Sequence, residues 1–211
     1  MINESLLASL RESVKRAEMS EKRRAHTLAV EEMAVRIGEI YAPDKLNVLR
    51  AAALLHDITK EYSTERHIEI LRSHGKTVRD IDVFAPKTLH AQTAAILIFE
   101  LYSEFAEPEV ISAVRWHTTG HEGMTLTEKI VYLADYIDET RNFSDCVKLR
   151  EMFWSAEPQT MSKEKREAHL RDVLIESFKM TVSALIEDES PISPDTADAL
   201  NEQICEKIKN K

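Results

Sequence analysis

Glycine is scarce in this sequence. Only four glycines and six prolines occur among 211 residues, whereas an average usage of about 7% would give roughly 15 glycines. Because β-rich folds need glycine at their tight turns, this composition disfavours a β-sandwich or a β-barrel. The glycine loops GxGxxG and GxxxxGK(S/T) are both absent, which excludes nucleotide sites of the Rossmann and P-loop types.

Paired cysteines, excess basic charge and long apolar runs are missing as well. Cys146 and Cys205 lie far apart and form no CxxC motif, so we expect no disulfide framework. The net charge is −9 and no basic stripe occurs, which argues against nucleic acid as a partner. No run of about 18 apolar residues occurs that could span a membrane. The first residues lack a signal-peptide pattern. We therefore expect a cytoplasmic protein without a membrane partner.

Apolar residues recur at helical spacing along almost the whole chain, which predicts an all-α fold. We expect a single domain over residues 1–211, with a helical core at about 20–142 and C-terminal helices at about 145–209 packed on it. The pattern of residues 76–87 is ambiguous, and Pro86 favours a loop there. Helix starts are expected from capping residues and prolines, at Asn3 or Ser5, Ser20, Asp44, Ser63 or Thr64, Thr88, Pro108 and Thr125 or Thr127. Three further helices are expected at 145–156, 162–187 and 194–209.

Polar residues interrupt two of the predicted apolar helices. His56 and Asp57 end the apolar run 51–55, and Asp135 lies between Ala134 and Tyr136. Burying such groups without a partner costs several kcal/mol each, roughly. A divalent metal would satisfy them, because imidazole and carboxylate together suit Fe, Mn, Zn or Co. A buried polar network without metal is the alternative.

The eight histidines divide into two sets of four. His26, His56, His90 and His117 fall near the ends of predicted helices. We expect the other four to lie on the surface, and Trp116 and Trp154 to lie in the core. The surface set comprises His67, His74, His121 and His169.

The order H…HD…H…H…D, carried by His26, His56-Asp57, His90, His117 and Asp135, resembles the HD-domain metal-dependent phosphohydrolases. Further segments resemble one branch, the bacterial (YqeK-type) symmetrical bis(5′-nucleosyl)-tetraphosphatases. These segments are Leu55–Lys60, Leu89–Ala91, Trp116–Gly120, Met124–Ile130, Ala134–Ile137 and Pro194–Thr196. The chain departs from the family after Arg141, where Phe143-Ser144-Asp145-Cys146-Val147 replaces the usual Phe-Pro-Gly-Val.

The resemblance implies a metal site with iron favoured, while Mn, Co and Zn also fit the ligand types. Its expected ligands are His26, His56, Asp57 and Asp135. His90 and His117 would bind a second metal or meet the phosphate directly, and the sequence leaves the choice open. The resemblance makes Asp57, His90 and His117 the catalytic residues.

Basic and loop residues around these positions are candidate substrate contacts. Arg23 lies one helical turn before His26, and Lys60 follows Asp57 at the same spacing. Arg141 follows Asp135 by six residues and reaches the site only if the helix ends first. All three could instead be solvated surface charges. The full expected set of substrate contacts is Arg23, Asp57, Lys60, His90, His117, Thr118, Asp135, Arg141, Pro194, Asp195 and Thr196.

The function that this resemblance implies is metal-dependent hydrolysis of diadenosine tetraphosphate to two ADP. Two alternatives remain open at this stage. One is an HD enzyme acting on a dNTP, a nucleoside monophosphate, a cyclic nucleotide or a guanosine polyphosphate, and the other is a nucleotide-binding module without turnover. A homodimer is possible. Pro194–Thr196 could line the nucleoside pocket or merely begin the last helix. Gly120 and Gly123 predict a turn beside the site.

Overall fold

The computed structural model describes residues 2–210. This range contains eleven α-helices, four single 3-10 turns and no strand, which confirms the predicted all-α fold. The helices are α1 (Glu4–Arg16), α2 (Glu21–Tyr41), α3 (Leu46–Leu55), α4 (Thr64–Ser73), α5 (Asp80–Phe84), α6 (Leu89–Leu101), α7 (Pro108–Trp116), α8 (Leu126–Ile137), α9 (Ser144–Ser155), α10 (Lys163–Glu187) and α11 (Pro194–Lys209).

Five of the eleven helices in residues 2–210 begin after a residue whose side chain caps them. The Asn3 side chain accepts a hydrogen bond from Leu6 N at 3.0 Å, and Ser20 Oγ accepts one from Arg23 N at 3.2 Å. Thr125 starts α8 with a full capping box, whose second member is Glu128. These caps satisfy backbone N–H groups that have no partner inside the helix.

The structure corrects one expectation about local structure and resolves one ambiguous segment. Asp44 does not cap α3, because residues 43–45 form a 3-10 turn and α3 begins at Leu46 without a side-chain cap. Residues 76–87 are not all loop, because α5 occupies part of them. Asp82 stabilises this single turn by accepting bonds from the backbone N–H and the guanidinium of Arg79. A five-residue helix is too short to show a helical repeat in the sequence.

Helices α2, α3, α6, α7 and α8 surround the site, and α2 packs closely on α3. Gly38 permits this approach, because a Cβ atom there would lie 2.5 Å from Leu49 Cδ1. Buried Glu31 of α2 binds Arg11 of α1 at 2.7 Å and Arg50 of α3 at 3.0 Å. The first three helices are therefore joined by ion pairs as well as by apolar contacts.

One cluster of buried apolar residues extends from the N-terminal helices to the C-terminal ones. Phe153 of α9, Phe178 of α10 and Ala199 of α11 belong to the same cluster as Leu54 of α3. None of the helices in residues 2–210 combines the length and apolar character that a membrane crossing requires.

Candidate metal centre and active site

Five helices bring the six residues of the H…HD…H…H…D pattern to one place. Each residue lies in a helix or directly at its end, so its position follows from helix packing. His26 lies in the second turn of α2, and Asp135 lies in the last turn of α8. His56 and Asp57 follow the end of α3, His90 is the second residue of α6, and His117 follows the end of α7.

The first group of ligand atoms comes from His26, His56, Asp57 and Asp135. His26 Nε2 lies 2.9 Å from Asp135 Oδ1 and 3.6 Å from Asp57 Oδ2. His56 Nε2 lies 3.3 Å from Asp57 Oδ2 and 3.7 Å from Asp135 Oδ1. Ligand atoms about 2.1 Å from one ion stand roughly 3.0–3.4 Å apart in octahedral or tetrahedral geometry. His56 Nε2 is buried and has no hydrogen-bond partner in residues 2–210. The donor set therefore fits a divalent metal.

Hydrogen bonds to the backbone orient three of the imidazoles. In His56, His90 and His117, Nδ1 donates to the carbonyl three residues earlier, at 2.6, 2.8 and 2.7 Å respectively. This bond places the proton on Nδ1 and leaves the lone pair on Nε2. All three Nε2 atoms then face the Asp57 carboxylate as acceptors or metal ligands.

His26 is oriented differently, by a carboxylate. Its Nδ1 lies 3.2 Å from Oδ2 of the fully buried Asp138. Burial alone would lower the pKa of His26, but hydrogen bonds to Asp135 and Asp138 outweigh it and raise the pKa to about 9. His26 therefore carries a proton near neutral pH until a metal displaces it.

The second group comprises the other oxygen of Asp57 with His90 and His117. Asp57 Oδ1 lies 3.2 Å from His90 Nε2 and 3.7 Å from His117 Nε2, and the two nitrogens are 2.9 Å apart. Lys60 Nζ and Thr118 Oγ1 both lie 3.1 Å from His90 Nε2, so each can donate to that lone pair. Burial lowers the pKa of both imidazoles, that of His90 to about 3. Both rings are therefore neutral at pH 7.

Cations contact both carboxylates of the site. Arg23 donates to Asp57, and Lys60 Nζ lies 3.9 Å from the same carboxylate. Arg141 reaches Asp135 at 2.6 Å because α8 ends at residue 137. Burial opposes ionisation of both carboxyls. Arg141 nevertheless holds the pKa of Asp135 well below its usual value.

The loop after His117 passes beside the centre. Gly120 has φ +62°, and a Cβ atom there would lie 2.8 Å from Phe178 Cζ, so the loop needs glycine at this position. Gly123 also has a positive φ, as expected for a turn. His121 Nε2 lies 3.3 Å from Glu128 Oε2 at the start of α8, which anchors the loop.

Pro194–Thr196 contacts this loop rather than the residues of the H…HD…H…H…D pattern. Thr196 Oγ1 donates to Thr119 O at 2.9 Å, and Pro194 is the first residue of α11. Ser193 precedes α11 without a side-chain capping bond. Asp195 lines a cavity of about 810 Å³, and none of the six residues of the H…HD…H…H…D pattern lines that cavity. The segment thus begins a helix and supports the site loop.

The other four histidines and the two tryptophans differ in how deeply they are buried. His67 was predicted to lie on the surface, which was wrong: it is buried and lies 2.8 Å from Thr93 Oγ1. Thr93 in turn donates to the His90 carbonyl at 3.2 Å. His74 is exposed, as predicted. The remaining four side chains are half-buried (His121, His169, Trp116 and Trp154).

The segment that departs from the family begins a helix. Phe143 is 69% exposed and directly precedes α9, whose first residue is Ser144. Cys146 is buried. The altered residues therefore lead the chain away from Arg141 into the C-terminal helices.

Comparison with known proteins agrees with this geometry. The family model described as HD domain matches residues 23–140, more than half of the chain. The chain belongs to the HD family. The matched range begins at Arg23, contains all six residues of the H…HD…H…H…D pattern and ends one residue before Arg141. HD membership implies a divalent metal, and the donor set described above fits one.

Individual relatives cover almost the whole chain. The symmetrical bis(5′-nucleosyl)-tetraphosphatase of Halalkalibacterium halodurans is 30% identical over 89% of this chain and 92% of its own. The protein of the same name from Bacillus subtilis is 29% identical, over 85% and 88%. The crystal structure of a predicted HD superfamily hydrolase involved in NAD metabolism from Clostridium acetobutylicum superimposes with a TM-score of 0.80 at 29% identity, covering 95% and 97%. This HD protein is therefore a hydrolase.

Sequence reasoning missed two residues that support the centre. The carboxylate of Asp138 lies 3.2 Å from His26 Nδ1, and the only sequence feature that pointed to Asp138 was its position three residues after Asp135. The buried side chain of His67 lies behind His90 through Thr93, and no local pattern distinguished it from a surface histidine.

Proposed function

We propose that this HD hydrolase cleaves diadenosine tetraphosphate symmetrically to two molecules of ADP. The observation that carries the proposal is the ring of three cations, Arg23, Lys60 and Arg141, around the carboxylates of the metal centre. A polyphosphate needs such local positive charge, because the chain as a whole carries −9. The choice of a dinucleoside tetraphosphate as the substrate rests on the names of the relatives.

The metal in this proposal is iron, held by His26, His56, Asp57 and Asp135. A divalent ion supplies Lewis acidity, which polarises a phosphoryl oxygen and acidifies water. Two carboxylates in this donor set offset the charge of the ion. Mn, Co and Zn accept the same ligands, so the preference for iron rests on the family resemblance.

Around the reacting phosphates, each side chain takes the role that its protonation state permits. His90 and His117 are neutral in the metal-free protein, so their Nε2 lone pairs can accept hydrogen bonds or bind a second ion. The ammonium group of Lys60 lies beside His90 and would donate a hydrogen bond to the oxygen of the departing ADP. Thr118 donates its hydroxyl to a phosphate oxygen, and Arg23 binds a second oxygen.

Pro194–Thr196 would contact the nucleoside. The bond from Thr196 to Thr119 supports this role, because it ties the start of α11 to the loop that carries Thr118. Arg141 would neutralise phosphate charge on the Asp135 side of the centre.

The test is product analysis with purified, metal-loaded protein. We expect chromatography to show ADP as the sole nucleotide product of diadenosine tetraphosphate, and elemental analysis to find iron. An Asp57→Asn variant should be inactive, while Glu139→Gln, which removes an exposed carboxylate, should keep full activity. ATP plus AMP as products, or an intact dinucleotide, would refute the proposal. Faster turnover of a dNTP, a cyclic nucleotide or a guanosine polyphosphate in the same assay would assign another HD substrate.

A further inference from the structure

A second cavity, of about 480 Å³, lies away from the metal centre. The end of α2, the start of α8, and helices α10 and α11 form its walls. None of the residues assigned above to metal or substrate lines it. Its volume falls within the range of about 300–1,000 Å³ that is usual for small-molecule sites.

The lining of this cavity is basic in an acidic protein. Four cationic side chains face two carboxylates, namely Lys129, Lys163, Arg166 and Arg171 against Glu167 and Glu206. Glu167 and Lys163 form a weak pair at 3.9 Å at the rim, where both are mostly exposed. The inner surface therefore keeps an excess of positive charge although the chain carries −9.

Two of the inner cations lack a close partner. Arg171 Nε is buried and has no hydrogen-bond partner, and its guanidinium lies 3.9 Å from Glu206. Lys129 has no carboxylate within 4.0 Å among the residues the structure describes, 2–210. Arg166, by contrast, donates to Ile40 O at 2.8 Å. The Arg171 side chain is 16% exposed and its guanidinium stands beyond hydrogen-bond distance from Glu206, so its terminal N–H groups are available to an anion in the cavity.

The rest of the lining suits an organic anion. Leu170 and Leu174 are buried and supply an apolar wall, and Gln203 is 1% exposed with its side chain at the cavity. We propose that this cavity binds a phosphorylated small molecule about the size of a nucleoside diphosphate, with the phosphates on Lys129 and Arg171. The site is separate from the proposed active site and does not depend on the reaction proposed there.

The probe for this site is ADP, titrated calorimetrically into the metal-loaded, full-length protein. We expect two classes of ADP site per wild-type chain. Lys129→Gln should weaken one class about tenfold to a hundredfold, as loss of a charged hydrogen bond predicts. Arg23→Gln should weaken the other class. Lys148→Gln, which removes an exposed lysine on α9, is the matched control and should change neither class. Adenosine, which lacks phosphate, should not compete for the site that depends on Lys129.

Arg171→Gln provides a second route to the same conclusion. It should weaken the class that depends on Lys129, and circular dichroism should show that both variants keep the helical fold. Wild-type ADP binding that Lys129→Gln and Arg171→Gln both leave unchanged would overturn the proposal, whether one class or two classes of site are observed. So would equal competition by adenosine, because phosphate would then not be recognised. Failure of the proposed active site would affect only the class that depends on Arg23.

Discussion

Protons should compete with metal ions for His26. Burial lowers the pKa of this imidazole, but hydrogen bonds to Asp135 and Asp138 outweigh it and raise the pKa to about 9 in the metal-free protein. Imidazole must lose this proton before it binds a metal. Deprotonation two pH units below the pKa costs about 2.7 kcal/mol. The apparent metal affinity should therefore rise about tenfold per pH unit between pH 7 and 9 and then level off.

The same raised pKa affects the stability of the metal-free protein with a defined sign. The folded-state pKa of about 9 lies above the ordinary value of 6.5. The stabilisation is therefore complete below pH 6.5 and disappears as the pH rises through about 9. Metal-loaded protein should lack this loss at high pH, because its His26 no longer carries the proton.

An Asp138→Asn variant separates orientation from proton competition. The substitution removes the buried carboxylate that holds His26 Nδ1 at 3.2 Å. At pH 9, where only about half of the His26 side chains carry a proton and deprotonation costs little, the loss of orientation should weaken metal binding by about 10–100-fold. At pH 7 the loss of metal affinity in the variant should be smaller, because a lower pKa of His26 in the variant reduces the free-energy cost of deprotonating this imidazole.

Titration with Mn(II) in two buffers of different ionisation enthalpy measures both affinity and proton release. Wild type should release about one proton per ion at pH 7, and Asp138→Asn should release fewer. Glu139→Gln is the control, since Glu139 is an exposed neighbour that pairs with Arg36 and Arg150. Metal affinity independent of pH, or equal affinities of the two variants at pH 9, would show that Asp138 does not position His26.

Three further substitutions test other parts of the structure. Gly120→Ala should lower the free energy of unfolding by about 3 kcal/mol, because the new Cβ atom would combine a positive φ with overlap on Phe178. Gly123→Ala has the positive φ without the overlap and should lower it by only about 1 kcal/mol. Urea titration measures both losses, and equal losses would contradict the packing argument. Lys60→Gln should lower kcat/KM for diadenosine tetraphosphate at least about tenfold without changing metal content; loss of metal would instead make Lys60 structural. Glu31→Gln should destabilise the protein by about 3 kcal/mol, because two arginines lose a buried partner; thermal unfolding with unchanged activity is the expected readout.

Local chemistry made much of the fold predictable. A capping side chain acts within three or four residues of its own position, so Ser20, Ser63 and Thr125 located helix starts without knowledge of the tertiary structure. The start of α3 escaped this reasoning, since Pro43 supports a 3-10 turn in front of the helix and Asp44 falls inside that turn. Arg141 depended on where α8 ends, and its contact with Asp135 required the break after residue 137.

The meeting of the six residues of the H…HD…H…H…D pattern could be predicted because their order along the chain carries the information. Their supporting residues could not, because support depends on which side chains the folded helices bring together. His67 looks like any histidine on an amphipathic helix, yet Thr93 of α6 meets it in the core. The role of Asp138 required the position of His26, more than a hundred residues earlier. The cavity lined by Lys129 and Arg171 likewise exists only because α8, α10 and α11 meet.

The charge balance of the centre couples metal binding to phosphate binding. Asp57 and Asp135 are neutralised by Arg23 and Arg141 when no ion is bound. A divalent ion would take over this neutralisation, and the guanidinium N–H groups would then become free for phosphate oxygens. ADP should therefore bind the active site more tightly in metal-loaded protein than in metal-free protein, and by reciprocity ADP should strengthen metal binding by the same factor. Calorimetric titrations of both forms measure this factor, and equal ADP affinities would show that the arginines do not leave the carboxylates.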